Sequence, residues 1–402
     1  MLLNRSRAEK IMVENGVDAL VASSPSNVLY TSDLCPYGRT FVLLPLDRDI
    51  EPAVVTPISC PIPVTTMSPP WIGDVRYYGE FYTETDWAEE PLEEDERMLV
   101  QAQESWRETK EADPLVLLAE ILEQRGLIKG KIGVDDALIQ PNQLQDQLGK
   151  RLPSVEVVVA SHLFTKIRMV KTEEEITRIG EAVRITEKAW GTSLESVRTG
   201  MTERDFAYIF NKTILDEGGM PVSHMGMYGA PIAFGRRSAF VDLALPTDYR
   251  LKRGDLLRFD GGCSYKGYNA DMARTAILGE PNEKLTKFYD AIFEGEELAL
   301  ELAKPGEVAS EIFARVVERV IEAGIPHYKR HHVGHGWGLG GYNPPLIGPR
   351  DDTVLEEGML LCLETPYYEV GFGGLMVEDV IVVEEKGPRF LTHFNRKLLS
   401  LS

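Results

Sequence analysis

Asp255-Leu-Leu-Arg-Phe-Asp260-Gly-Gly-Cys-Ser-Tyr-Lys-Gly267-Tyr-Asn-Ala-Asp271-Met-Ala-Arg-Thr275-Ala-Ile-Leu278 is the stretch that decides this chain. Two strand-like runs flank a centre holding Gly261, Gly262 and Gly267, the turn chemistry of a hairpin. Asp260 ends the first run, and Asp271 lies within the second. A hairpin of this length can bring its two carboxylates side by side across the strands. Leu256, Leu257 and Phe259 lead into Asp260, so this acid ends a strand that reads as buried. A buried carboxylate must be paired, protonated or bound to metal.

The same device recurs downstream. Met359, Leu360, Leu361 and Leu363 lead into Glu364, and Glu378 sits on a further strand-like run beyond the Gly-rich stretch 370–374. His335 stands in Gly334-His-Gly-Trp-Gly, where small neighbours permit close approach of an ion. Two divalent cations would balance the four carboxylates and leave the His as a neutral ligand. Asp260, Asp271, His335, Glu364 and Glu378 therefore have the composition of a two-metal hydrolytic site. Each acid alone reads equally well as a surface acid of an acidic chain; the apolar flanks favour the metal reading.

Composition bounds the rest. The 402 residues suffice for two domains with good cores. The net charge of −20 has no basic block to offset it, which excludes nucleic acid and anionic membranes as partners. The opening Met1-Leu-Leu-Asn-Arg-Ser-Arg-Ala-Glu-Lys reads as a charged amphipathic helix, without a signal peptide or a membrane span. Cys35, Cys60, Cys263 and Cys362 are scattered, with neither zinc-knuckle spacing nor a disulfide framework, and a cytoplasmic home is expected. Cys263 reads as a packed small residue rather than a nucleophile.

The chain divides into two patterns, 1–162 and 163–402. In the first, a helix over 4–15 precedes strands beginning at Asp18, Arg39, Glu51, Lys131 and Val155, an α/β alternation. The acid-rich stretch Glu80 to Glu96 reads as a solvated loop and helix start. In the second, Thr172 and Glu175 fit a capping box, with Ile176, Ile179, Val183 and Trp190 following at helical spacing. Further helices are expected near 202–216, 283–303 and 308–323. Strands 255–260 and 269–278 pair, as do 358–368 and 375–384. The fold class is α+β, with helices covering a curved antiparallel sheet.

These residues closely resemble the methionine aminopeptidase, prolidase and creatinase superfamily. Asp260 and Asp271 are 11 residues apart, Asp271-Met-Ala-Arg-Thr matches its Asp-x-x-Arg-Thr, and Gly334-His-Gly matches its metal-His turn. Glu364-Thr-Pro-Tyr-Tyr and Val377-Glu378-Asp379 match its two Glu motifs. The resemblance implies a pita-bread catalytic domain over 163–402 and a creatinase-type α/β domain over 1–162. It implies a homodimer in which one chain's N-terminal domain shapes the other's cleft, and a manganese, cobalt, iron or zinc pair held by the five ligands.

The chain also departs from that pattern. The segment before the first Asp has Leu243 where Xaa-Pro peptidases of the family carry a His, and Tyr342 stands where a second is expected. His331 keeps a third, and alternation would aim 331, 333 and 335 at one face and His332 away. His224 and Arg236 are candidate substrate contacts, although a structural His and a solvating Arg read as well. His331, Tyr342 and Glu364 are the candidate catalytic groups, with Tyr342 equally a packing residue. The expected activity is hydrolysis of a C–N bond in a small amide or dipeptide-like substrate, with specificity shifted from Xaa-Pro. A lyase or a non-catalytic binding protein on the same fold are the alternatives.

Overall fold

The computed structural model describes residues 1–35, 38–60, 71–87, 89–136, 141–224, 227–228, 232–240 and 245–402, with only the backbone at 223–224 and 227–228. Leu243 lies outside the described residues, as does the His224 side chain. The chain separates into two compact units, Met1–Arg168 and Met169–Ser402.

The first unit is built on six strands: β1 (Ala19–Ala22), β2 (Phe41–Pro45), β3 (Ala53–Pro57), β4 (Asp74–Tyr78), β5 (Lys129–Val134) and β6 (Ser154–Val159). They run in the order β4-β3-β2-β1-β5-β6. The β1–β2 and β2–β3 pairs are antiparallel and the others parallel. Helices α1 (Arg5–Asn15), α2 (Pro25–Ser32), α3 (Glu94–Thr109), α4 (Pro114–Gln124), α5 (Pro141–Arg151) and α6 (Ser161–Met169) accompany them. Leu117, Leu118, Ile121 and Leu122 of α4 and Leu144 and Leu148 of α5 pack on Val21, Leu43, Val55, Ile132 and Val134. The acidic stretch ends in α3, whose first turn carries Glu94, Asp95 and Glu96 against the helix dipole.

The second unit centres on an antiparallel sheet. Its strands are β7 (Ile232–Phe234), β8 (Leu256–Gly261), β9 (Met272–Leu278), β10 (Gly334–Gly338), β11 (Gly341–Leu346), β12 (Leu360–Glu364) and β13 (Glu378–Val382). Their order is β7-β8-β9-β13-β12-β10-β11. Two short strands extend it: β14 (Arg389–Phe390) pairs with β13, and β15 (Leu399–Leu401) lies parallel to β9.

Four helices cover one face: α7 (Glu173–Glu195), α8 (Glu203–Asp216), α9 (Glu283–Leu302) and α10 (Ala309–Ala323). The Thr172–Glu175 capping box opens α7, and Ile176, Ile179, Val183 and Trp190 are buried. Trp190 stacks on Phe259 of β8 at 5.1 Å, and Phe210 of α8 meets the same ring. Leu361, Leu363 and Ile381 pack with Ala299, Ile312 and Val316 of α9 and α10. Side chains alternate across a strand. Asp260, Glu364 and Glu378 therefore project from the sheet face opposite this packing.

Candidate metal centre

One line of register carries most of the site. Asp260 of β8 pairs with Ala273 of β9, Ala273 with Glu378 of β13, and Glu378 with Glu364 of β12. Cys362, two residues before Glu364, pairs with His335 of β10. Directly opposed residues share a face, so Asp260, Glu378, Glu364, Cys362 and His335 look the same way.

Asp271 joins them through a break in the hairpin. The expected second strand is interrupted: 268–269 pairs with 263–265 around a turn at Lys266 and Gly267, both at positive φ, and β9 begins only at Met272. Asp271 occupies the break. Gly262 faces it so closely that a Cβ there would lie 2.6 Å from the Ala270 carbonyl oxygen. Asp260, Asp271 and Glu378 consequently offer carboxylate oxygens within 4.8 Å of one another, and Asp271, His335 and Cys362 form a second such group.

His335 is 1% exposed, and burial pushes its pKa down to about 4, so the ring is neutral. Nδ1 lies 3.2 Å from the Gly336 carbonyl, which can only accept; Nδ1 therefore carries the hydrogen. The Nε2 lone pair faces Asp271 at 3.8 Å and Glu378 at 3.9 Å. The flanking glycines serve strand packing: a Cβ on Gly334 would sit 2.6 Å from the Cys362 carbonyl oxygen, and one on Gly336 2.3 Å from that of Pro344.

The two glutamates differ sharply. Burial, then the charges of Asp271, Glu364 and Asp260, push the Glu378 carboxyl well above its ordinary range, and its Oε2 is buried without a hydrogen-bond partner among the described residues. Burial also opposes ionisation of Glu364. It is outweighed by His332, whose Nδ1 lies 3.0 Å from Oε1, and by the Arg330 guanidinium 3.7 Å from Oε2, so Glu364 stays below the usual range.

The structure reverses the expected orientation of the adjacent histidines. His332 is buried against Glu364, whereas His331 is exposed, with its ring 4.2 Å from that of His332. The backbone bends at His331 and Val333 and β10 starts at Gly334, so strand alternation does not extend to position 331. Tyr342 is at the site: its ring stacks on His335 at 3.6 Å while 59% of the residue stays exposed. Arg236 is not brought to the cluster. It is exposed in the 3-10 turn Gly235–Ala239, near Tyr249, which bonds Asp255 at the far end of β8 from Asp260. Its neighbour Arg237 is the paired one, held to buried Glu203 at 3.0 Å.

The sequence reading gave no place at the site to five residues: Arg258, Arg330, His332, Cys362 and Tyr368. Arg258 is buried with Nη1 2.8 Å from Asp260 Oδ2. The Arg258 and Arg330 guanidiniums lie 5.2 and 5.7 Å from the centre of the Tyr368 ring. Arg258 had a signal, a charge inside an apolar strand with the same parity as Asp260; Cys362 had one too, two residues before Glu364. Burial and the surrounding acids keep the Cys362 thiol protonated. Cys263 is packed as expected, its Sγ donating to the Ala182 carbonyl at 3.3 Å.

Residues 177–385 match the model of metallopeptidase family M24. The chain is 28% identical over 390 residues to a Xaa-Pro dipeptidase of Pyrococcus furiosus, covering 97% of each. It is 32% identical over 268 residues to a Xaa-Pro dipeptidase of Pyrococcus horikoshii, covering 67% of this chain and 74% of the relative. Among solved structures, a prolidase from Pyrococcus furiosus superposes with a TM-score of 0.70 at 27% identity, over 96% of this chain and all of that one.

A carboxylate-lined sheet face with one neutral imidazole, on this topology, defines a pita-bread metallohydrolase. The chain belongs to metallopeptidase family M24, whose members depend on divalent metal.

Proposed function

We propose that this chain is a dinuclear metal-dependent dipeptidase-like enzyme that cleaves a C–N bond in a small substrate, with a specificity shifted away from Xaa-Pro. The observation that carries this reading is the single register line Asp260–Ala273–Glu378–Glu364, which gathers three acids on one open face. Glu364 and Glu378 stand directly opposite each other, an arrangement that repels unless a proton or a cation lies between them. The Glu378 oxygen without a partner among the described residues and the His335 Nε2 lone pair both fit cation binding. Asp260, Asp271, His335, Glu364 and Glu378 would hold the ions, and this oxygen-rich set suits manganese, cobalt or iron, with zinc admitted through the imidazole. Bound divalent ions supply Lewis acidity towards the scissile carbonyl and acidify water.

The chain's own groups do the rest. Glu364, held ionised by His332 and Arg330, accepts the proton of the attacking water. His332 fixes the orientation of that carboxylate. Tyr342, whose ring stacks on His335, would donate its hydroxyl to a developing oxyanion. Exposed His331 is left to meet substrate at the rim. The same Tyr342 placement keeps elimination as a second reading, with the phenol as base.

Reconstitution with Mn²⁺, Co²⁺, Fe²⁺ or Zn²⁺ followed by elemental analysis should give two ions per chain, and Asp271→Ala should lose at least one of them with nearly all activity. Wild type that binds no metal refutes the proposal. Dipeptide products whose summed mass exceeds the substrate by one water mean hydrolysis, and an unchanged sum means elimination. Turnover of Xaa-Pro at an ordinary enzymatic rate, roughly 1–10³ s⁻¹, refutes the shifted specificity. The chain is also proposed to act as a homodimer.

A further inference from the structure

The charge balance of the acidic face is not that of its carboxylates alone, because two guanidiniums touch them. Arg258 Nη1 lies 2.8 Å from Asp260 Oδ2, and Arg330 Nη2 lies 3.7 Å from Glu364 Oε2. With Asp260, Asp271, Glu364 and Glu378 all ionised, four negative charges and these two positive ones leave −2. A single divalent ion offsets that charge. A second would enter a centre already neutral, with a guanidinium close by.

Arg258 is held in place. It is 3% exposed and stands on β8 two residues before Asp260, so both side chains leave the same face. Nε donates to the Ser238 carbonyl at 2.9 Å and Nη2 to the Phe240 carbonyl at 2.7 Å, while Nη1 donates to Asp260. Nη1 also lies 3.9 Å from Met376 Sδ. A guanidinium keeps its proton at any ordinary pH. Swinging it aside as a cation nears Asp260 would strip two backbone carbonyls of their donor. Arg330 is less tightly tied: it is half-buried, with Nε 3.4 Å from the His332 carbonyl.

The ligands therefore have two unlike ends. At one, His335 Nε2 faces Asp271 and Glu378 at 3.8 and 3.9 Å. At the other, Asp260 joins the same two acids and carries Arg258. Arg258 acts on a cation there in two opposed ways. It fixes the Asp260 rotamer, which favours binding, but the ordering saved on a short side chain is small. It also sets a full charge against the ligand in a poorly solvated place, and this is the larger effect.

We infer that Arg258 acts through Asp260 as a standing counter-charge, weakening the ion beside Asp260 so that it exchanges while the ion beside His335 stays. This rests on the two-metal reading above and assigns the order in which the ions load. The doubly loaded form then rises and falls with the free divalent metal concentration.

Metal-stripped wild type is titrated with Mn²⁺, with free ion followed by electron paramagnetic resonance and heat by calorimetry. The expected result is two single-ion steps whose Kd values differ at least about tenfold, a gap of about 1.4 kcal/mol. Arg258→Met keeps the bulk without the charge and should tighten the weaker step at least several-fold, with two ions still bound. Arg258→Lys keeps the charge and should stay near wild type. A purely structural role predicts the reverse for Arg258→Met, since damage to the site loosens its ions. Arg330→Gln, where fewer bonds are lost, should also tighten the weaker step and decides the matter if circular dichroism shows Arg258→Met unfolded. Equal steps in wild type overturn the inference, as does a weaker step that is unchanged or loosened in the folded charge-removing variant. No substrate enters these titrations. Unequal steps that respond to Arg258 uphold the inference even where no dipeptide is cleaved, and equal steps with dipeptide cleavage overturn it while leaving the peptidase reading intact. Wild type that binds no metal overturns both.

Discussion

Glu378 concentrates the electrostatic conflict of the site. It is 1% exposed, directly opposite Glu364, and close to Asp271 and Asp260. Its folded pKa lies well above the ordinary 4.5, so its contribution to stability is full below about pH 4.5 and is lost as pH rises through the folded value. In metal-stripped protein, Glu378→Gln should therefore be more stable than wild type at pH 8, by about 1–3 kcal/mol, with the gap closing towards pH 5. Divalent metal should raise the wild-type Tm by mass action and should hardly move that of the variant. Thermal melts from pH 5 to 8, with and without Mn²⁺, check both. A metal-free variant less stable than wild type at pH 8 would remove Glu378 as the source of the conflict. The pair at 331 and 332 makes a related point: sequence order identified a histidine near the site, and only the backbone bend decides which ring turns inward.

At the scale of the element, the decisive piece is β10, pressed between β11 and β12. His335 reaches the acids because the residues on both sides have no side chain. Gly336→Ala would place a Cβ 2.3 Å from the Pro344 carbonyl oxygen, against a backbone that cannot rotate away. We expect a loss of about 1–3 kcal/mol in urea unfolding and a weaker metal affinity, since His335 must shift with its strand. Unchanged stability with unchanged metal stoichiometry would show that β10 tolerates the insertion. The paired hairpins, the capped α7 and the spacing of Asp260 to Asp271 were all legible, because each rests on local pattern and turn chemistry. The break at Asp271 was not, since it arises from the approach of Ala270 to Gly262 across the turn. Strand β4 was missed because Asp74-Val-Arg-Tyr-Tyr carries two charges and alternates poorly. Arg330 escaped because its importance lies in contacts with Glu364 and Tyr368, which no local window contains, whereas Arg258 stands two residues before Asp260 and its shared parity was there to be read.

For the whole molecule, the open question is assembly. Among the described residues no helix is long and apolar enough to cross a membrane. Large apolar side chains are nonetheless exposed in the first unit: Phe81 at 49%, Tyr82 at 64% and Trp87 at 86%, within a run dense in acids. Trp71, in Pro69-Pro-Trp-Ile-Gly73, is 38% exposed, and Pro69 and Pro70 lie outside the described residues. Aromatic residues are enriched at the cores of protein interfaces, and a symmetric dimer would bury the same patch on both copies. The surrounding carboxylates would then repel across the interface, so association should strengthen as salt screens them, over a Debye length of about 8–10 Å near physiological ionic strength. Light scattering at micromolar concentration should give about twice the 45.0 kDa chain mass. Trp87→Ser combined with Tyr82→Ser should shift the mass towards the monomer, and activity should fall with it if the partner shapes the cleft. A wild-type chain that is monomeric at micromolar concentration and fully active at nanomolar concentration would sink the dimer.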